Sequence, residues 1–234
     1  MEELQHSYQP FVSALAEEER VAFYRKTYTH VALAVLLFIV VEYLFFQSPV
    51  IVNFAASLMG GWSWLVLLGA FMLVTNYAEG LALKSQDKNV HYMALLIYVI
   101  AEAFIFIPML LIAFNMIDGV AMLQQAAVMT VALFVGLSAI VFFTKKDFSF
   151  LRSILVMGFM IALGLIVAGT IFGFDLGLWF SVAMVALAAG SILYTTSNMV
   201  HKYNEEQYVA AALGLFASLM LLFWYILRIF MSRD

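Results

Sequence analysis

Residues 176–200 read LGLWFSVAMVALAAGSILYTTSNMV, a run without a charged side chain. A helix needs about 20 mostly apolar residues to cross the hydrocarbon core of a bilayer, and this run is long enough. Its end is polar, because Tyr194, Thr195, Thr196, Ser197 and Asn198 follow one another. The stretch is therefore either the hydrated end of a membrane helix or a polar site close to one membrane face. By four-then-three spacing, Ser191, Thr195 and Asn198 share a face, while Thr196 and Ser197 point elsewhere. Read alone, the stripe is a polar contact with a neighbouring helix, and its hydroxyls can also bond back to their own backbone.

The rest of the chain has the same character. Of its 234 residues 65% are hydrophobic and 11% charged, against about 25% charged in a soluble domain. The composition predicts an all-α polytopic membrane protein whose main environment is the lipid bilayer. Seven apolar stretches are long enough to span: residues 27–46, 62–81, 91–114, 120–143, 154–172, 179–199 and 209–230. Ahead of them, SALAEEERVAFYRKTYTH (residues 13–30) is charged and amphipathic and lacks the pattern of a cleavable signal. Residues 1–26 are expected to form a cytoplasmic N-terminal segment with a short surface helix, and residues 27–234 the transmembrane domain. The first connection, QSPVIVNFAASLMGG (residues 47–61), is apolar in its middle and suited to lying on the membrane surface.

Seven crossings put Arg20, Arg25, Lys26, Lys84, Lys88, Lys145, Lys146, Arg152 and Lys202 on one side and Arg228 and Arg233 on the other. Nine and two account for all 11 basic residues. Basic residues mark the cytoplasmic side, so the N-terminus is expected inside and the C-terminus outside. Small residues four apart (Gly158 and Ala162, Gly164 and Ala168, Ala186 and Gly190, Gly214 and Ser218) offer surfaces for close helix packing in lipid. Pro108 removes one backbone hydrogen bond from the third span and is expected to kink it.

Ionisable groups at membrane depth are the natural site candidates. Glu102 lies near the middle of the third span, where an ionised carboxylate costs about 2.5–3.5 kcal/mol on the insertion scale. Such a group faces the bundle or a water-filled cavity, where it can sense pH or carry protons or cations; the plainer reading is a neutral carboxyl bonded to a neighbouring helix. Glu42 lies about four residues from the outer end of the first span, roughly 6 Å deep. It either lines an outer mouth or simply reaches the interface. Glu79 follows Asn76 near the inner end of the second span, where a solvated helix end is the plainer reading. His30 reads as an interface residue.

Several functions are excluded or left without support. The chain has no cysteine, so thiol catalysis and Cys-based metal sites are impossible. No HExxH, GxSxG, Walker loop or strand-borne GxGxxG is present, and no cofactor or enzymatic activity is expected. The scattered basic residues form no nucleic-acid patch. The seventh span has no Lys for a retinal Schiff base, and there is no inverted repeat of broken helices of the transporter kind.

Four stretches together carry a family resemblance: FYRKTYTHVALAVLLFIVVEYLFFQSP (23–49), TKKDFSFLRSIL (144–155), FGFDLGLWFSVAMVALAAGSILYTTSNMVHKY (172–203) and VAAALGLFASLMLLFWYILRIFM (209–231). They look like the bacterial branch of the Bax inhibitor-1, or transmembrane Bax inhibitor motif, family. TKKDFS and the YxTSN end of the sixth span are the most specific parts. IPML in the third span is similar to the family's Gly-Pro segment, with Ile107 where a Gly is usual. The resemblance implies a seventh helix surrounded by the other six and a place in the bacterial cytoplasmic membrane. It also implies either a pH-sensitive calcium leak or a role in stress survival, restraining an AAA-type membrane protease. In the leak picture two Asp on the sixth and seventh helices share a proton, since like charges at short range cannot both ionise cheaply. Those positions are Thr195 and Ser218 here, and neither titrates. Thr195, Ser218, Ser191 and Asn198 are then the remains of the latch. Glu102, with Glu79 and Glu42 behind it, is left as the carboxyl for an ion pathway or pH sensing.

Overall fold

No glycine or proline interrupts residues 17–46, and the whole stretch forms one helix, α1 (Glu17–Phe46). The computed structural model describes residues 11–85 and 87–232. Residues 1–10 of the expected N-terminal segment, and Arg233, lie outside them. Among the described residues, the stretch expected to form a short surface helix leading into the first span is continuous with that span from Glu17 onward. Charges at Glu17–Lys26 lower the hydropathy without breaking the backbone ladder, so the spanning helix starts ten residues before the apolar run. Glu17, Glu18 and Glu19 occupy its first turn, where the helix dipole favours negative charge. The Glu19 carboxylate accepts a hydrogen bond from the Ala16 N–H at 3.2 Å.

The remaining elements are α2 (Pro49–Ser57), α3 (Gly61–Lys84), α4 (Lys88–Phe114), α5 (Gly119–Thr144), α6 (Leu151–Phe172), α7 (Gly177–His201) and α8 (Tyr208–Met231). All but α2 are long and apolar enough to cross a membrane, which makes seven among the described residues. The first connection holds α2, which starts on Pro49 and packs on α1 and α4. The α4 helix runs unbroken through Pro108. Asp87 caps α4 by accepting from the Asn89 N–H at 2.9 Å, which satisfies one of its unpaired donors.

The seven long helices alternate in direction, so the starts of α1, α4, α6 and α8 share a face with the ends of α3, α5 and α7. This face carries every described basic residue except Arg228 and is called the basic face below. Two ion pairs tie it together: Lys26–Glu205 at 3.8 Å and Lys88–Glu206 at 3.6 Å. The segment before α1 is fastened there too. Val12 is fully buried, and its N–H donates to the Tyr203 carbonyl at 2.9 Å.

The core is built around α8. In its most apolar window 72% of residues are buried, against 61% for α4 and 11% for α6. It packs on α1, α3, α4, α5 and α7, while α6 packs on α7 and α3. The seventh spanning helix is thus central, with α6 held at its flank. Of the small-residue pairs, Gly158 and Gly190 face Leu187 and Leu155 across the α6–α7 contact, but Gly164 meets nothing.

Candidate functional site

The closest polar contact between α7 and α8 is made possible by Gly214. A Cβ at that position would come 3.1 Å from Cγ2 of Thr195, so the missing side chain lets the helices approach. One turn on, the Ser218 hydroxyl donates to the Gly214 carbonyl at 3.0 Å. Its single proton is spent, so it accepts from Ser191 at 3.0 Å and from Thr195 at 3.2 Å. Ser218 is 4% exposed. Three of the four latch-position residues meet in this neutral contact. Asn198 does not join them; its Oδ1 is buried without a protein partner.

Two cavities flank α8. Toward the basic face, a cavity of about 500 Å³ lies between α3, α4, α6, α7 and α8 and is lined by Glu79, Tyr98, Arg152, Thr195, Asn198 and Ser218 among others. Tyr203 also lines it, and burial pushes its phenol up to about 12. Toward the far face, about 450 Å³ is lined by Trp64, Ile166, Trp224 and Arg228 among others. Asp175 and Arg228 form an ion pair there at 3.6 Å. The two cavities share three wall residues: Phe71, Glu102 and Leu221. Glu102 is 6% exposed, and among the described residues it makes no hydrogen bond to another protein group. Glu79 borders the same basic-face cavity, whereas its helix neighbour Asn76 lines a separate shallow depression with Tyr77 and Gly80. Glu42 stands apart, in a third cavity between α1, α4, α5 and α8.

The sequence pattern missed one connection. Ser197 is fully buried and accepts from the Phe148 N–H at 2.9 Å while donating to Asp147 at 3.2 Å. The Ser149 hydroxyl and N–H also bond Asp147 and hold its carboxyl below the usual range. The loop after α5 is thereby fastened to the end of α7. The signal was present: TKKDFS and YTTSN end on the same face of the bundle. His30 bonds Tyr92 at 2.9 Å, joining α1 to α4.

Comparison with known proteins agrees with this architecture. The chain is 32% identical over 225 residues to Protein LIFEGUARD 4 of Arabidopsis thaliana, covering 93% of this chain and 87% of that one. It is 36% identical over 108 residues to the Modulator of FtsH protease YccA of Escherichia coli, covering 45% and 49%. An uncharacterised Pseudomonas aeruginosa protein is 35% identical over 124 residues, covering 53% and 55%. The chain thus spans about half the length of two of these three relatives. The family model described as "Inhibitor of apoptosis-promoting Bax1" matches residues 20–234. With seven long apolar helices, a central α8 and a match over nearly its whole length, the chain belongs to the Bax inhibitor-1 family of multi-pass membrane proteins.

Proposed function

We propose that the protein is a cation leak of the membrane, with Glu102 at the point where its two vestibules meet. The observation that carries this reading is the shared wall: Glu102 lines both the basic-face and the far-face cavity. A carboxyl at membrane depth, bordered by cavities and free of protein partners, is suited to exchanging a proton or binding a passing cation. Calcium is the first ion to test, with protons as its competitor. Glu79 extends the acidic lining toward the basic face, which in this reading is cytoplasmic because it carries the basic residues. Thr195 and Ser218 brace α7 against α8 and leave titration to Glu102. The test is calcium flux in proteoliposomes across a pH series for wild type and Glu102→Gln. Equal flux and equal pH response in both would remove Glu102 from the path, and no wild-type flux would remove the leak.

A second reading is favoured by the name of one relative, a modulator of the FtsH protease. In it the protein acts without conducting, and a membrane protease of that class is its partner. The charged N-terminal segment is the handle. Cross-linking and pull-down with and without residues 1–20 decide it: capture that depends on those residues supports it, and no capture in either form counts against it.

A further inference from the structure

Glu42 is the buried carboxyl that the leak leaves without a task. It is 6% exposed, and both of its oxygens are buried without a hydrogen-bond partner. No basic side chain pairs with it among the described residues. A polar group in that state costs free energy and calls for an explanation.

The surroundings supply one. Near the basic face, α1 and α5 are held together by aromatic contacts: Tyr24 and Tyr28 meet Phe142 at 4.9 and 5.9 Å between ring centroids. Toward the far face no such contact is made, and a cavity of about 470 Å³ opens between them. Such a volume falls in the range of small-molecule sites, about 300–1,000 Å³. Its floor is Leu219, Met220 and Phe223 of α8. Its rim includes Ile39 and Tyr43, which are exposed on the outer, apolar surface of the bundle. The polar side chains in the lining are Glu42, Tyr43 and Thr130. The Thr130 hydroxyl is already spent on the Ala126 carbonyl at 2.7 Å. The cavity therefore combines apolar walls, an opening on the lipid side and one buried carboxyl without a partner.

We propose that this cavity binds an amphiphile from the bilayer whose head is a primary ammonium held by Glu42 and whose alkyl body fills the apolar space. Charge complementarity selects the head. An ammonium supplies both the missing charge and N–H donors, and charge-assisted bonds are the stronger kind. The apolar walls select the body. The site does not depend on conduction, because Glu42 and Glu102 border different cavities.

The probe is dodecylamine carrying a photoreactive diazirine on its chain, used on the full chain in phosphatidylcholine nanodiscs, with labelled peptides mapped by mass spectrometry. Saturable labelling is expected on α1 and α5 around Ile39 and Ala127. Unlabelled dodecylamine should compete at about tenfold lower concentration than dodecanol or dodecyltrimethylammonium, which lack the charge or the N–H donors. Glu42→Gln should weaken competition about tenfold, and Ala127→Phe, which narrows the cavity and leaves the carboxyl in place, should abolish labelling. Labelling spread over the lipid-facing surface and indifferent to Ala127→Phe would mean partition into the bilayer only and overturn the site. Labelling in the cavity with unchanged competition in Glu42→Gln would overturn the role of the carboxyl.

Discussion

Replacing Gly214 by Ala puts a methyl group 3.1 Å from Cγ2 of Thr195, closer than carbon atoms sit at their optimum of about 3.5–4.0 Å. Two opposing effects set the outcome. Ala is the better helix residue by about 0.8–1.0 kcal/mol. Overpacking an ordered contact costs about 1–3 kcal/mol. Gly214→Ala should therefore be neutral to destabilising by roughly 2 kcal/mol. Thr195→Ser removes the opposing methyl and keeps the hydroxyl that bonds Ser218 at 3.2 Å. In that background the clash is gone, and Gly214→Ala should become stabilising by about 1 kcal/mol. The double-mutant cycle should give a coupling of about 1–3 kcal/mol. Unfolding in mixed micelles of rising sodium dodecyl sulfate fraction, followed by tryptophan fluorescence, measures it. Equal effects of Gly214→Ala in the wild-type and Thr195→Ser backgrounds would refute the close approach of α7 and α8 on which the latch geometry rests.

Thr195→Asp with Ser218→Asp should create a carboxyl pair in hydrogen-bond range that shares a proton, so conduction should gain a second pH-dependent step beside the wild-type response; no change in the flux–pH curve would reduce the Thr195–Ser218 contact to packing. Ser197→Ala leaves the Phe148 N–H without its acceptor and should cost about 1 kcal/mol, read as faster tryptic cleavage after Lys145 and Lys146. The Asp147 carboxyl is held below its ordinary value of 3.8 by its bonds to Ser149 and then to Ser197. By linkage its contribution is fully present above that value and lost as pH falls through the lower, folded one. Hydrogen exchange at the Phe148 and Ser149 amides, corrected for intrinsic rate, should owe no change to Asp147 between pH 5 and pH 8, as a scan over that range would check.

The seven spans were legible because apolar runs of about 20 residues have few alternatives in a chain this poor in charge. The expected start of α1 was not, because hydropathy sees the charges of Glu17–Lys26 while the backbone sees a stretch without a breaker. The contact of Ser191 and Thr195 with Ser218 could be anticipated from spacing and from the resemblance. Asn198 shares the stripe but not the contact, since spacing fixes a face and not a partner. Glu79 read as a solvated helix end because its depth was known and its facing was not. That facing depends on α6 standing off from α8, which no local pattern encodes. Ser197 failed for the same reason: its partner Asp147 lies 50 residues away. Glu42 shows the limit most clearly, because its cavity is assembled from four helices and only one of them is its own.

The leak reading rests on Glu102 lining both cavities, and the most direct measurement is calcium entry into proteoliposomes, recorded from pH 5 to pH 8 for wild type and Glu102→Gln in parallel. The account predicts a wild-type flux that varies with pH and a Glu102→Gln flux that is altered and flat over the same range. Identical curves for the two proteins, or a wild-type flux no greater than that of protein-free liposomes, would contradict it.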